Sequence, residues 1–171
     1  AHVDFLIAGL EGAGVTPVEK PTFDFTAGGA FDPFNDNGVG QETAYAQLLA
    51  LAQAFEDTGV RAYKGQAGNL LGSDFLTPAL QIHAVEAMHA SEVRRLRGLK
   101  GWITNNERGA GMPEATQAVY NGEENVTQGG VDVTTLGNGA AFSMEASTEA
   151  YDEALSGDDA VAIASLFIVS E

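Results

Sequence analysis

Apolar residues recur every three or four positions in two long stretches of the chain, the spacing that places side chains on one face of an α-helix. This pattern predicts one helix over residues 41–68 and a second over residues 74–99. The shared face of the first consists of Tyr45, Leu49, Ala52, Glu56, Gly59 and Tyr63. The shared face of the second consists of Phe75, Ala79, Ile82, Glu86, His89, Val93 and Leu96. Each of these mainly apolar faces carries an acidic residue near its middle.

The polar residues on these faces are Glu56 on the first helix and the pair Glu86 and His89 on the second. A buried carboxylate without a positive partner is unfavourable or takes up a proton, so a cation is expected beside it. Taken alone, a Glu-x-x-His motif more often lies at the solvent edge of a helix or includes a core histidine that is already hydrogen-bonded. Two consecutive helices with an acid on the face can point both acids into one layer, which favours a metal site.

The rest of the chain is less regular. Residues 1–11 read as the end of a helix, and residues 13–40 read as a long crossover with extended pieces, because glycine and proline are frequent there. Between residues 102 and 147 the helical periodicity is lost, and the alternation at Val131 and Val133 predicts a small hairpin or a loop that follows the surface.

Two further helices are predicted near the end of the chain. They cover STEAYDEAL, residues 147–155, and GDDAVAIASLFIV, residues 157–169. Ser156 or Asp158 would cap the second, because a short oxygen-bearing side chain can accept a hydrogen bond from the first turn.

Composition limits the classes of partner and the kinds of metal ligand that the chain can use. The formal net charge of −16 and the isoelectric point near 4.3 argue against a nucleic acid or an anionic membrane as partner. The chain has no cysteine, so a metal would be held by carboxylate and imidazole, which suits iron, manganese or zinc. No apolar run has the length of a membrane-spanning segment. The acidity is consistent with a high-salt or an extracytoplasmic setting, and of these we expect the extracytoplasmic one, periplasmic or secreted.

Two segments, FEDTGVRAYKG at 55–65 and AVEAMHASEVRRLRG at 84–98, resemble the ferritin-like superfamily. More narrowly they resemble the bacterial branch that also contains the plant desiccation-related proteins, and AHVDFLIAGLEG at 1–12 resembles the end of that family's second helix. The resemblance implies a mainly α, up-down helical bundle with long glycine-rich loops. We expect residues 1–100 to form this partial bundle and residues 101–171 to form a loop-rich extension packed on it.

The resemblance also implies a ligand set. Ferritin-like di-iron proteins supply one Glu from each of two helices and a Glu-x-x-His from each of the other two. Glu56 then matches the single Glu of the third helix, Glu86 and His89 match the motif of the fourth, and His2 matches the histidine of the second. The first helix and the start of the second have no counterpart. We expect a longer protein, with completion by a partner chain or an incomplete centre as the alternatives.

The function implied by the resemblance is iron or manganese binding, with two ions if the bundle is complete, and ferroxidase or peroxide-consuming activity on O₂ or peroxide that protects against stress. The alternative is a non-catalytic structural or interaction protein of the cell envelope or extracellular space, alone, as a homo-oligomer or with an envelope partner. Near the site, Gln53 is expected to orient Glu56, and Tyr63 to be a core tyrosine or a phenol serving the site. His83 is expected to lie at the surface or in packing.

Overall fold

The computed structural model describes residues 1–169 and is mainly α-helical. The α-helices are α1 (His2–Gly12), α2 (Gln41–Gln66), α3 (Leu76–Leu96), α4 (Met144–Thr148) and α5 (Gly157–Ala164). Short 3₁₀ helices cover Ala67–Leu70, Glu114–Val119, Val133–Leu136 and Ser165–Phe167. Two strands, β1 (Thr127–Gln128) and β2 (Val131–Asp132), pair antiparallel. Among the helices of residues 1–169, none combines the length and the apolar character needed to cross a membrane.

The helices α2 and α3 pack against each other and form the centre of the fold, as their periodicity predicts. The helix α3 begins at Leu76, two residues after the predicted start, and ends at Leu96. The Ser73 hydroxyl accepts a hydrogen bond from the Phe75 backbone N–H at 3.3 Å, but no side chain caps the first turn of the helix. The two long helices predicted from the periodicity are confirmed.

The most buried face of α2 lies beside the predicted one. Residues of the predicted face are only half-buried, and Tyr45 is 58% exposed. The fully buried side chains from the middle of the helix onward are Ala50, Leu51, Gln53, Ala54, Asp57, Val60 and Arg61. Three of these are polar at intervals of four residues, so hydrophobic periodicity does not detect them. The single core-facing stripe predicted for α2 was wrong because this helix has a second neighbour.

That second neighbour is the chain after residue 100. The core joins Phe31 and three residues of α2, Ala50, Leu51 and Ala54, to residues after 100. These are Ile103, Met112, Val119, Tyr120, Leu155, Ile163 and Phe167. At one crossing the backbone of Leu155 lies so close to α2 that a Cβ on Gly65 would be 1.8 Å from the Leu155 carbonyl oxygen. Only glycine fits there. The division into a bundle and an extension at residue 100 stays a prediction, while the core draws on both sides of it.

The predicted small hairpin is confirmed. Thr127 pairs with Asp132 and Gln128 with Val131, so the turn consists of Gly129 and Gly130. Their φ angles are +58° and +85°. Two-residue hairpin turns of the type that matches strand twist require positive φ at both positions, which glycine adopts without a steric penalty.

Of the two helices predicted near the end, only the second forms over most of its length. Residues 149–156 lie outside helix, because backbone carbonyls of Asp152 and Glu153 accept hydrogen bonds from Lys64 and Arg61 of α2 instead. The Ser156 hydroxyl accepts from the Asp159 backbone N–H at 3.1 Å, which confirms the predicted cap. Near the end of the described residues, Ile168 forms a single antiparallel β-bridge with Phe23. Phe23 lies in the crossover, where extended pieces were predicted.

Candidate metal centre

Glu56, Glu86 and His89 come together between α2 and α3. One potential ligand atom from each lies within 4.8 Å of the others. His89 Nδ1 is 3.3 Å from Glu56 Oε2 and 3.4 Å from Glu86 Oε2. Glu86 and His89 share a face because they are one turn apart on α3, and the packing of α2 places Glu56 opposite them.

His2 reaches the same cluster from α1. Its Nδ1 is 3.1 Å from Glu86 Oε1, within hydrogen-bond distance. The helix α1 is positioned by Phe5, whose ring centroid is 6.3 Å from that of Phe75, and by Gly9, where a Cβ would be 2.8 Å from the Phe75 ring. Close packing of Gly9 against Phe75, the residue preceding α3, therefore places α1 beside the start of α3.

The two carboxylates of the cluster lack compensating positive charge. Within residues 1–169, their only ion-pair partners are the imidazoles of His2 and His89, which carry charge only when protonated. Glu56 Oε2 is buried and has no hydrogen-bond partner. Burial, followed by the adjacent Glu86 carboxyl, raises the pKa of Glu56 to about 7, although His89 opposes the shift. A group of this kind is stabilised by any cation placed among its oxygens.

The cluster lies at the edge of the core and is open on one side. The Glu86 and Glu56 side chains are 17% and 27% exposed, whereas those of His2 and His89 are 41% and 53% exposed. The carboxylates thus form the inner part of the cluster and the imidazoles its solvent side. This arrangement leaves a route for an ion or a small molecule to reach the carboxylate oxygens.

The other residues singled out in the sequence fall in different places. Burial raises the pKa of the half-buried Tyr63 phenol, and the charge of Glu86 raises it further. Tyr63 therefore lies close enough to the cluster to interact with it electrostatically. Gln53 instead donates to Arg108 O at 3.1 Å and to Tyr120 Oη at 2.9 Å. The expectation that Gln53 orients Glu56 was wrong, because Gln53 lies on the other buried face of α2. His83 packs between helices, with Nδ1 3.0 Å from the Val60 carbonyl oxygen.

A buried polar group next to the cluster was not predicted from the sequence. Asp57 accepts from Arg94 Nη2 at 2.5 Å, from Arg94 Nε at 3.3 Å and from the Tyr120 hydroxyl at 2.8 Å. Asp57 and Arg94 are each 3% exposed, and Tyr120 is fully buried. The available signal was the repetition of polar residues at Gln53, Asp57 and Arg61, four residues apart on one side of α2.

The donor atoms fit a transition-metal ion. Two carboxylates and two imidazoles within contact distance form a mixed oxygen and nitrogen set, which suits iron, manganese or zinc. A bound cation would coordinate the buried Glu56 Oε2, which has no hydrogen-bond partner, and would offset the repulsion between Glu56 and Glu86. A calcium or magnesium site would instead draw mainly on oxygen ligands.

Comparison with known proteins agrees with this geometry. A family model described as a ferritin-like domain matches residues 1–99, which include α1, α2, α3 and all four residues of the cluster. No curated protein and no solved structure matches the chain.

Proposed function

Since this chain belongs to the ferritin-like domain family, we propose that Glu56, Glu86 and His89 hold iron or manganese and that His2 adds a further ligand. The proposal is supported mainly by the cluster itself. Its carboxylate and imidazole atoms meet without a lysine or arginine partner among the described residues. Ferritin-like helical proteins place their metal ligands on facing helices in the same way.

Glu86 has the central role in the proposed site. Its Oε1 faces His2 at 3.1 Å and its Oε2 faces His89 at 3.4 Å, so its two oxygens serve two different imidazoles. Glu86 would therefore help to hold the metal together with both histidines. Glu56 supplies the opposing carboxylate from α2, and its negative charge would offset part of the positive charge of a bound metal.

The proposed activity is ferroxidase or peroxide consumption that protects against oxidative stress. Bound iron or manganese would supply reversible one-electron oxidation, which the side chains of the cluster lack. The half-exposed histidines keep the site accessible to O₂ or peroxide, and Tyr63, close enough for Glu86 to raise its pKa, is the phenol available beside it.

Several finer assignments belong to the same proposal. The segments at 55–65 and 84–98 support membership of the bacterial branch related to plant desiccation-related proteins. Acidity supports an extracytoplasmic location, and the loss of helical periodicity after residue 100 supports the division into bundle and extension. The non-catalytic structural or interaction role remains the second candidate, because much of residues 101–169 lies in loops rather than in the helical layer.

Metal titration of matched variants tests the site. We expect chelator-treated protein to bind Mn²⁺ stoichiometrically in anaerobic calorimetry. Glu56→Gln and Glu86→Gln each remove a negatively charged ligand, so each should weaken binding at least about tenfold, equivalent to about 1.4 kcal/mol. Glu92→Gln is the matched control, because Glu92 is exposed on the same helix and lies outside the cluster.

The same samples separate the two candidate functions. Circular dichroism confirms that each variant keeps its helices, and oxidation of added Fe²⁺ measures turnover. Loss of metal and turnover in Glu56→Gln and Glu86→Gln, with both kept in Glu92→Gln, supports the metal centre. A folded wild-type protein that takes up neither Mn²⁺ nor Fe²⁺ would support the structural or interaction role.

A further inference from the structure

A second site is formed by an open cavity of about 250 Å³ between the α2 and α3 pair and the loops that follow α3. Asp57, Ala87 and Ala90 line it, and each comes one residue after a member of the metal cluster. One residue corresponds to a rotation of about 100° around a helix, so the cavity faces a different side of both helices from the cluster. It therefore offers a separate place for a ligand.

The floor of the cavity is a rigid polar group. Arg94 uses Nε and Nη2 to bind Asp57, and its guanidinium carbon lies 5.7 Å from the centre of the Tyr120 ring. Its third nitrogen, Nη1, has no hydrogen-bond partner among residues 1–169. Because Asp57 and Tyr120 hold the guanidinium in place, a ligand that accepts a hydrogen bond from it needs no rearrangement of the protein.

The rim of the cavity is aromatic. Trp102 and Tyr151 both line it, and they are 55% and 42% exposed, respectively. Trp102 also lines a second cavity of about 260 Å³, so its side chain borders two cavities. Aromatic rings that remain this exposed beside a polar floor offer apolar faces for a ligand to cover.

The charges around the cavity are paired within the protein. Asp57 pairs with Arg94, Glu149 pairs with Lys100 at 2.5 Å, and Asp152 pairs with Lys64 at 3.7 Å. An ionic ligand would find no uncompensated opposite charge among these groups. An apolar ligand would strip water from the polar floor without replacing its hydrogen bonds, which is unfavourable.

We propose that this cavity binds a neutral polyhydroxylated ligand of the size of one sugar ring. A sugar presents an apolar C–H face that can cover the Trp102 indole, and its hydroxyls both donate and accept hydrogen bonds. One sugar hydroxyl can accept a hydrogen bond from Arg94 Nη1, which has no partner among residues 1–169, and another can donate to the partly exposed Asp152 carboxylate. Exposed aromatic rings at the rim, together with polar side chains whose charges are already paired, favour this chemical class.

Tryptophan fluorescence tests the proposal, because Trp102 is the one tryptophan in the chain. We expect a saturable change on titration with at least one of glucose, galactose and mannose, with a dissociation constant on the order of 1 mM. No saturable change with any of the three overturns the proposal. Tighter binding of glucose 6-phosphate than of glucose overturns the assignment to a neutral ligand.

The sugar affinities of variants then test whether the sugar binds in this cavity. Tyr151→Ala keeps the fluorescent reporter and should weaken binding at least about tenfold, whereas Tyr45→Ala removes an exposed tyrosine near the start of α2 and should leave binding unchanged. Saturation-transfer NMR on Trp102→Phe measures the contribution of the indole itself. Sugar binding that survives both Tyr151→Ala and Trp102→Phe at full affinity would show that the site lies elsewhere. Glu86→Gln should bind sugar normally, which keeps this test independent of the metal centre.

Discussion

Replacing Arg61 by methionine is expected to reduce the free energy of unfolding by about 3–5 kcal/mol, because it leaves a buried carboxylate without its partner. Arg61 is 1% exposed, and its Nε lies 2.7 Å from Oε1 of Glu123, which is also buried. The same guanidinium donates to the backbone carbonyls of Val119, Asn121 and Glu153. One side chain thus joins α2 to two separate parts of the chain after residue 100, residues 119–123 and residue 153.

Urea denaturation followed by circular dichroism measures this loss, which is a large part of the about 5–15 kcal/mol that stabilises a typical domain. Arg95→Met is the control, because Arg95 is exposed in the last turn of α3. Adding Glu123→Leu to Arg61→Met should recover part of the loss, since the unpaired carboxylate is then absent. A loss below about 1 kcal/mol for Arg61→Met would show that Arg61 does not hold the two parts of the fold together.

The second large effect is expected at the buried pair of Asp57 and Arg94. Asp57→Ala leaves a guanidinium that cannot lose its proton in the interior, so it should cost about 3–5 kcal/mol. Arg94→Met leaves a carboxyl that can become neutral by taking up a proton, so the charge penalty is smaller at acidic pH. The Tyr120 hydroxyl at 2.8 Å still contacts the remaining carboxyl in this second variant.

The two variants should therefore respond differently to pH. Burial already raises the pKa of Asp57 against the opposing effect of Arg94, and removing Arg94 removes that opposition. A carboxyl with a raised pKa in the folded state stabilises the fold at low pH and loses this contribution as pH rises through its folded-state pKa. The stability deficit of Arg94→Met should shrink as the pH is lowered towards the ordinary range of a carboxyl group. Deficits that are equal and independent of pH would contradict the ionic description of this pair.

The parts of the fold that could be predicted were those governed by local rules. The period of apolar residues identified α2 and α3, the glycine pair at 129 and 130 marked the hairpin, and Ser156 marked the start of α5. The candidate site was also predictable, since Glu56, Glu86 and His89 are polar residues on otherwise apolar faces. The structure brings these three together with His2.

The parts that could not be predicted depend on contacts between distant segments. The buried face of α2 carries Gln53, Asp57 and Arg61, whose burial is tolerated only because partners from after residue 90 meet them. Residues 149–156 have helical composition but lie across α2, where side chains of that helix bind their carbonyls. Hydrophobic periodicity carries no information about such pairing, because it records only which positions are apolar.

Carboxylates and imidazoles from α1, α2 and α3 are expected to bind one metal centre. Pulsed EPR of Mn²⁺ added to metal-free protein detects these ligands. Coordination by histidine gives the bound ion a nitrogen coupling. We predict this coupling in the wild-type protein and in His83→Gln, whose ring packs against Val60 away from the cluster. The double variant His2→Gln with His89→Gln should lose it. Absence of bound Mn²⁺ in the wild-type protein, or a nitrogen coupling that persists in the double variant, would show that these residues do not form the metal centre.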